Sequence, residues 1–291
     1  MLNKKTIKQV QEALNLVADG IAGPKTRAAV LRFQQSENLV ADGIIGRKTL
    51  EALGILDSDT KSNGVIVTEE GLKIIKNHMP SDEYISYDQP IVNDYLFLHT
   101  TFGWENPFNQ IHGWANDKRG CVGTEFVVGG QNIKTGDDTY DGVVLQAFPE
   151  GSQGWHLGNT GSYYMNRHSV GIELCNFGYL NKYNRNWVNV KAAENQIAEC
   201  LFRGYNKYHK ISNDQLKSTK KLIEYIASRD SIDVTKGLIH WINTQGVEKA
   251  FEFQQEAYEG KVKGLLSHSN VRKDKEDIHP QDELIDMLLS I

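Results

Sequence analysis

The sequence predicts a mixed α/β domain, its central sheet flanked by helices, preceded by a small three-helix domain. Three features carry this reading: an internal repeat with helical spacing in residues 1–56, a polar stretch over residues 57–65, and strand-like apolar runs alternating with amphipathic stretches over residues 66–291. At 291 residues the chain has length for about two domains. With 40% hydrophobic and 24% charged residues and only 6 prolines, wholesale disorder and fibrous architectures are excluded. The 32 basic and 37 acidic side chains include no long basic run, which argues against nucleic acid as a partner. No apolar run approaches the roughly 18 residues of a membrane span, so no membrane insertion is expected. No apolar segment follows the N-terminal lysines, so synthesis in a cytoplasm without a signal peptide is expected. Cys121, Cys175 and Cys200 show no CxxC spacing and are expected to be reduced and mostly buried.

The repeat reads NLVADGI at Asn15–Ile21 and again at Asn38–Ile44, continuing as GIAGPKT against GIIGRKT at a constant offset of 23 residues. Asp19, Gly20, Gly23, Lys25 and Thr26 thus match Asp42, Gly43, Gly46, Lys48 and Thr49. Glycine permits the positive φ of a tight turn, and threonine before an apolar run suits a helix start. Val10, Leu14, Val30, Phe33, Leu50 and Leu53 recur at helical spacing and form the expected core. A generic bundle whose glycines only turn corners would look similar. The paired DGIxGxxT turns, however, resemble the peptidoglycan-binding module of bacterial and phage wall hydrolases, which implies peptidoglycan as the partner.

After the linker, Thr68–His78 reads as a helix. Asp94–His99, Gly123–Val128, Val143–Phe148 and Ser169–Cys175 read as strands, and Lys191–His209 and Asp214–Ser228 as long amphipathic helices. Val262–His268 reads as a last strand and Gln281–Leu289 as a closing helix.

Two of the nine histidines end apolar strands: His99 in DYLFLHTT and His268 in KGLLSHSN. Asp277 follows His268 by nine residues, with Lys275 two positions before it. Two imidazoles and a carboxylate leave a fourth tetrahedral position for water, the donor pattern of a catalytic zinc. In an extended stretch Lys275 would turn to the same side as Asp277, where its ammonium could stabilise an oxyanion. Taken alone, VRKDKED also reads as a solvated charge run. His240 in GLIHW is the rival second ligand, but no carboxylate follows at a suitable distance.

LFLHTT, VGTEFVVGG, GWHLGNTGS, NRHSVGIELCNFG and SHSNV with KEDIHP together resemble the type 2 N-acetylmuramoyl-L-alanine amidases, a family related to phage lysozyme-type amidases and peptidoglycan recognition proteins. The resemblance implies an amidase-like fold and Zn2+ held by His99, His268 and Asp277. Glu173 stands where the family has its catalytic glutamate, and Lys275 where it has its catalytic lysine. It further implies that Trp155, His156 and Asn159 contact substrate, although a structural role for that loop fits equally. Alternation in SVGIEL places Glu173 on a polar strand face, from which it could take a proton from attacking water and pass it to the leaving amine. The reaction implied is hydrolysis of the amide joining the lactyl group of N-acetylmuramic acid to L-alanine. The setting implied is that of a monomeric phage or prophage endolysin reaching the wall by holin-type release. A non-catalytic wall-binding or sensing protein, or a zinc peptidase cutting another bond, are the alternatives.

Three departures from the family are visible: the long path from Glu173 to His268, including a segment at 241–260 expected to lie near the cleft; a His268–Asp277 spacing one residue short of the common form; and Asp where lysozyme-type members carry Cys.

Overall fold

The computed structural model describes residues 4–37, 39, 41, 43, 45, 47–55, 64–158 and 162–291, and the chain divides into two compact units, residues 1–64 and 65–291. The expected linker 57–65 lies almost wholly outside the described residues.

In the first unit, helices α1 (Lys4–Ala13), α2 (Pro24–Ser36) and α3 (Arg47–Ala52) enclose Val10, Val30 and Leu50. Pro24 opens α2, where its missing N–H costs nothing. The repeat is visible in its hydrogen bonds. Gln11 accepts from the Gly20 amide and donates to Thr26 Oγ1, and Gln34 accepts from the Gly43 amide and donates to Thr49 Oγ1. Gly20 and Gly43 both take positive φ (73° and 69°). Each buried glutamine therefore braces the turn 9 residues ahead of it and the helix start 15 residues ahead.

The second unit is built on a seven-stranded mixed sheet. Its strands are β1 (Val65–Val67), β2 (Lys73–Lys76), β3 (Tyr95–Thr100), β4 (Phe126–Val128), β5 (Val144–Gln146), β6 (Ser169–Leu174) and β9 (Gly264–Ser267), in the order β1-β2-β5-β4-β6-β3-β9. A separate antiparallel pair, β7 (Ile197–Phe202) and β8 (Tyr205–His209), lies outside it. The neighbours β4, β6, β3 and β9 run parallel. Helices α6 (Asn213–Asp230), α7 (Leu238–Gln245) and α11 (Asp282–Leu289) share a core with Leu96, Leu98, Phe126, Val128 and Ile172. Helix α4 (Pro107–Trp114) packs with Val127 and Leu145 on the opposite face. A buried ion pair fastens α6 to the sheet: Arg229 reaches both carboxylate oxygens of Glu125 at 2.7 and 3.1 Å, and Gln146 donates to the same carboxylate.

Two expected helices are strands. Residues 68–78 carry the turn and second strand of a hairpin, because Gly71 takes a φ of 73°, Thr68 closes the turn through Leu72, and Val65–Val67 pairs with Lys73–Ile75. Within 191–209 only Glu194–Gln196 is helical, as one 3-10 turn. Arg203 and Gly204 both adopt positive φ (48° and 83°) between the paired residues Phe202 and Tyr205, a tight two-residue hairpin turn that overrides the helix propensity of Ala192, Ala193 and Glu194. The segment 241–260, expected near the cleft, forms the rest of α7 with α8 (Val247–Ala250) and α9 (Gln255–Tyr258) and contributes nothing to the cleft lining. Its apolar Ala250, Phe251 and Ala257 are fully buried and share a core with Val271 of α10 (His268–Val271), while its polar side chains are mostly exposed. The cysteines are all free; Cys175 is buried and the other two half-buried. Among the described residues no helix is long and apolar enough to cross a membrane.

Candidate active site

Parallel strands end side by side, so residues at their carboxyl ends gather at one edge of the sheet. Here β3 delivers His99, its neighbour β6 delivers Glu173 in direct register with His99, and β9 on the other side delivers His268 as the first residue of α10. Pleating turns His99 and Glu173 away from the α6 side, onto the face that also carries Val127 and α4. There they open into a cleft of about 1050 Å³, walled by Phe102, Trp114, Arg119, Trp155, Tyr163 and Lys275.

Three donor atoms converge in it. His99 Nδ1 lies 3.0 Å from His268 Nδ1 and 3.4 Å from Asp277 Oδ2, and His268 Nδ1 lies 3.1 Å from the same oxygen. All three side chains are buried, and among the described residues they form the one group able to hold a metal. Ligands about 2.0–2.1 Å from a tetrahedral zinc stand about 3.3 Å from one another, so the triangle fits that ion. Burial, together with the neighbouring His268, brings the His99 imidazole down to about 4, keeping it neutral and able to donate a lone pair. Burial opposes ionisation of Asp277, but the facing imidazoles of His268 and His99 prevail and hold its carboxyl well below the usual carboxylate range.

The second histidine is held from behind. Asn270 donates to the carbonyls of Ala250 and Glu252, Ser269 Oγ donates to that of Phe251, and the Ser269 amide donates to the carbonyl of Asp277 itself. The short turn that bears His268 is thereby tied to the 241–260 segment and to the third donor. Glu173 has a different environment. Its Oε2 is buried with no hydrogen-bond partner among the described residues. Burial and then the charge of Asp277 push its carboxyl well above the ordinary range, against a weaker pull from Lys275. A carboxyl so placed is suited to carrying a proton between two reacting groups.

Of the residues singled out in the sequence, His99, His268, Asp277, Glu173, Lys275, Trp155 and His156 all line this cleft, and Asn159 lies outside the described residues. His240 is exposed on α7 and does not line it. Sequence reasoning missed Arg272, which donates to the Leu157 carbonyl (2.7 Å) while paired with Asp274, bridging the GWHLG loop and the loop of the third donor. It also missed Gly171: a Cβ there would lie 2.5 Å from Thr124 Cγ2 and 3.2 Å from His156 Nδ1, so close approach demands glycine. The Gly in SVGIEL was the only trace of that crowding.

Two histidines and Glu173 at the parallel strand ends, with Asp277 from the loop that follows α10, make a metal-competent cleft. A family model described as N-acetylmuramoyl-L-alanine amidase matches residues 88–280, and the chain belongs to that family. A peptidoglycan binding domain model matches residues 4–53. The protein is accordingly a peptidoglycan amidase with an N-terminal helical wall-binding unit. No curated protein matches the sequence. Solved structures similar to it include the catalytic domain of XlyA (15% identity over 70% of this chain and 89% of that chain, TM-score 0.39) and the N-acetylmuramoyl-L-alanine amidase LysC from Clostridium intestinale (16% identity over 75% and 95%, TM-score 0.38). Another is the amidase AmiD from E. coli in complex with an anhydro-N-acetylmuramic acid peptide (19% identity over 60% and 55%, TM-score 0.32).

Proposed function

We propose that this chain is a zinc-dependent hydrolase of the amide between the lactyl group of N-acetylmuramic acid and L-alanine. In this reading His99, His268 and Asp277 hold the metal. The observation that carries it is the convergence of two imidazole nitrogens and a carboxylate oxygen within 3.4 Å at the floor of the cleft. A zinc ion held there would supply Lewis acidity, lowering the pKa of water toward about 7 and polarising a carbonyl. Glu173 takes the proton of the attacking water and returns it to the departing amine of L-alanine; its solvent-poor position favours both transfers. Lys275 places a positive charge at the cleft wall, where negative charge develops on the scissile carbonyl oxygen. Trp155, with Tyr163 beside it (ring centroids 5.6 Å apart), offers an aromatic surface to sugar or peptide, and Asn159 is a further substrate contact in this reading. The N-terminal unit holds the enzyme on the wall. In the same reading the chain serves as a phage or prophage endolysin, monomeric and delivered by holin-type release.

The experiment is elemental analysis of the purified chain beside turnover of peptidoglycan. One zinc per chain is expected, and His268→Ala should lose both metal and turnover. A wild-type chain that hydrolyses peptidoglycan with no metal bound would sink the zinc reading.

A further inference from the structure

An imidazole presents a metal with a lone pair only if its other nitrogen carries the proton, so a ligand histidine works best when something accepts that N–H. His99 Nδ1 faces His268 and Asp277; its Nε2 lies 3.0 Å from His156 Nδ1. His156 Nε2 in turn lies 2.8 Å from Ser169 Oγ. The two contacts couple the protons along the chain. If Nε2 of His99 donates, Nδ1 of His156 must accept, so the His156 proton sits on Nε2 and is given to the serine hydroxyl. Both nitrogens of His156 are then committed to the protein.

The ring is built into place. It meets His99 edge-on (centroids 5.1 Å apart, 84° between planes) and packs against Phe97, two residues earlier on the same strand. Ser169 and Gly171 lie on the neighbouring strand, and the missing Cβ of Gly171 leaves the space its Nδ1 edge needs. Asn166 Oδ1 accepts from the amides of His156 and Leu157, and Arg272 holds the Leu157 carbonyl, so the loop that carries the ring is fastened on both sides. The other ligand histidine has no such support: His268 Nε2 is buried without a partner among the described residues.

We propose that His156, held by Ser169, is a positioning residue that accepts the Nε2 proton of His99 and thereby presents His99 Nδ1 to the metal. The proposal rests on the zinc reading above, and it replaces the direct substrate contact that the resemblance suggested for His156. Because His268 Nε2 has no acceptor among the described residues, this chain of hydrogen bonds sets the orientation of the first ligand imidazole.

The test uses the full chain and three variants: His156→Phe, which keeps a flat ring but no acceptor; His156→Gln, whose amide can accept from His99 and donate to Ser169; and Ser169→Ala. Zinc affinity is read by chelator competition, and the His99 tautomer by NMR of histidine labelled with ¹⁵N at both ring positions. Wild type is expected to hold His99 with its proton on Nε2 even without zinc. His156→Phe should weaken zinc about 10–100-fold and mix the two tautomers. His156→Gln should recover most of the affinity, and Ser169→Ala should lose some in the same direction. Two results overturn the proposal: zinc affinity in His156→Phe and Ser169→Ala within twofold of wild type, or an intact His99 tautomer with only the KM for a soluble muropeptide raised, which would make His156 a substrate contact. A wild-type chain that binds no zinc overturns the metal reading and this inference together, and so is distinct from a zinc-binding wild type whose variants are unaffected.

Discussion

Burying a carboxyl with an unpaired oxygen costs free energy, and Glu173 bears that cost at the floor of the cleft. The proton transfer proposed for it would account for that cost. Glu173→Gln, which keeps the shape and removes the titrating oxygen, should retain zinc and lose about 10²- to 10⁴-fold in turnover; metal content and rate measured on one preparation check this. A second buried group governs stability rather than chemistry. Burial, and then the neighbouring His279, bring the His209 imidazole down to about 3, while its Nδ1 accepts the Phe177 amide. A histidine depressed in the folded state is protonated first in the unfolded chain. Its stabilising contribution is complete above about pH 6.5 and is lost as pH falls toward 3, by up to about 2 kcal/mol between pH 7 and pH 5. His209→Asn, which keeps an acceptor for the Phe177 amide, should be less stable at pH 7 but should flatten this acid slope in urea titrations. The donors of the cleft were legible from sequence because the strand-end positions of His99 and His268 and the short spacing from His268 to Asp277 are local facts. The link from His156 to His99 was not, since it depends on which atom of one ring faces which atom of another across 57 residues.

At the scale of elements, strands β3, β6 and β9 were readable as apolar runs ending in chemistry-bearing residues, and helix α6 from its long amphipathic pattern. The misread segments share one cause. Residues 68–78 and 191–209 contain strong helix formers, and their outcome is decided by turns at Gly71 and at Arg203-Gly204, each needing positive φ. Long-range pairing also escaped notice. Nothing near Glu125 announces Arg229, nor does anything near His268 announce the carbonyls of 250–252 that anchor its turn. That anchorage is testable: fully buried Asn270 spends both its amide hydrogens there, so Asn270→Ala should cost about 1–3 kcal/mol for the carbonyls left unpaired. It should also weaken zinc by loosening His268. Thermal unfolding of the zinc-free chain and chelator competition separate the two effects.

For the whole molecule, the two units have separate cores, so the catalytic chemistry and the hold on the wall should separate as well. Removing residues 1–64 should leave turnover of a soluble muropeptide within about twofold while reducing co-sedimentation with purified walls by about tenfold or more, the loss expected when one of two linked contacts is deleted. The central claim concerns the bond that is broken. Mass spectrometry of the products from purified peptidoglycan, digested by the full chain, tests it most directly. The account predicts stem peptides released with a free amino group on L-alanine, alongside uncut glycan strands that carry free lactyl carboxylates. Peptides cut within the stem, with L-alanine still attached to muramic acid, or shortened glycan strands, would contradict it.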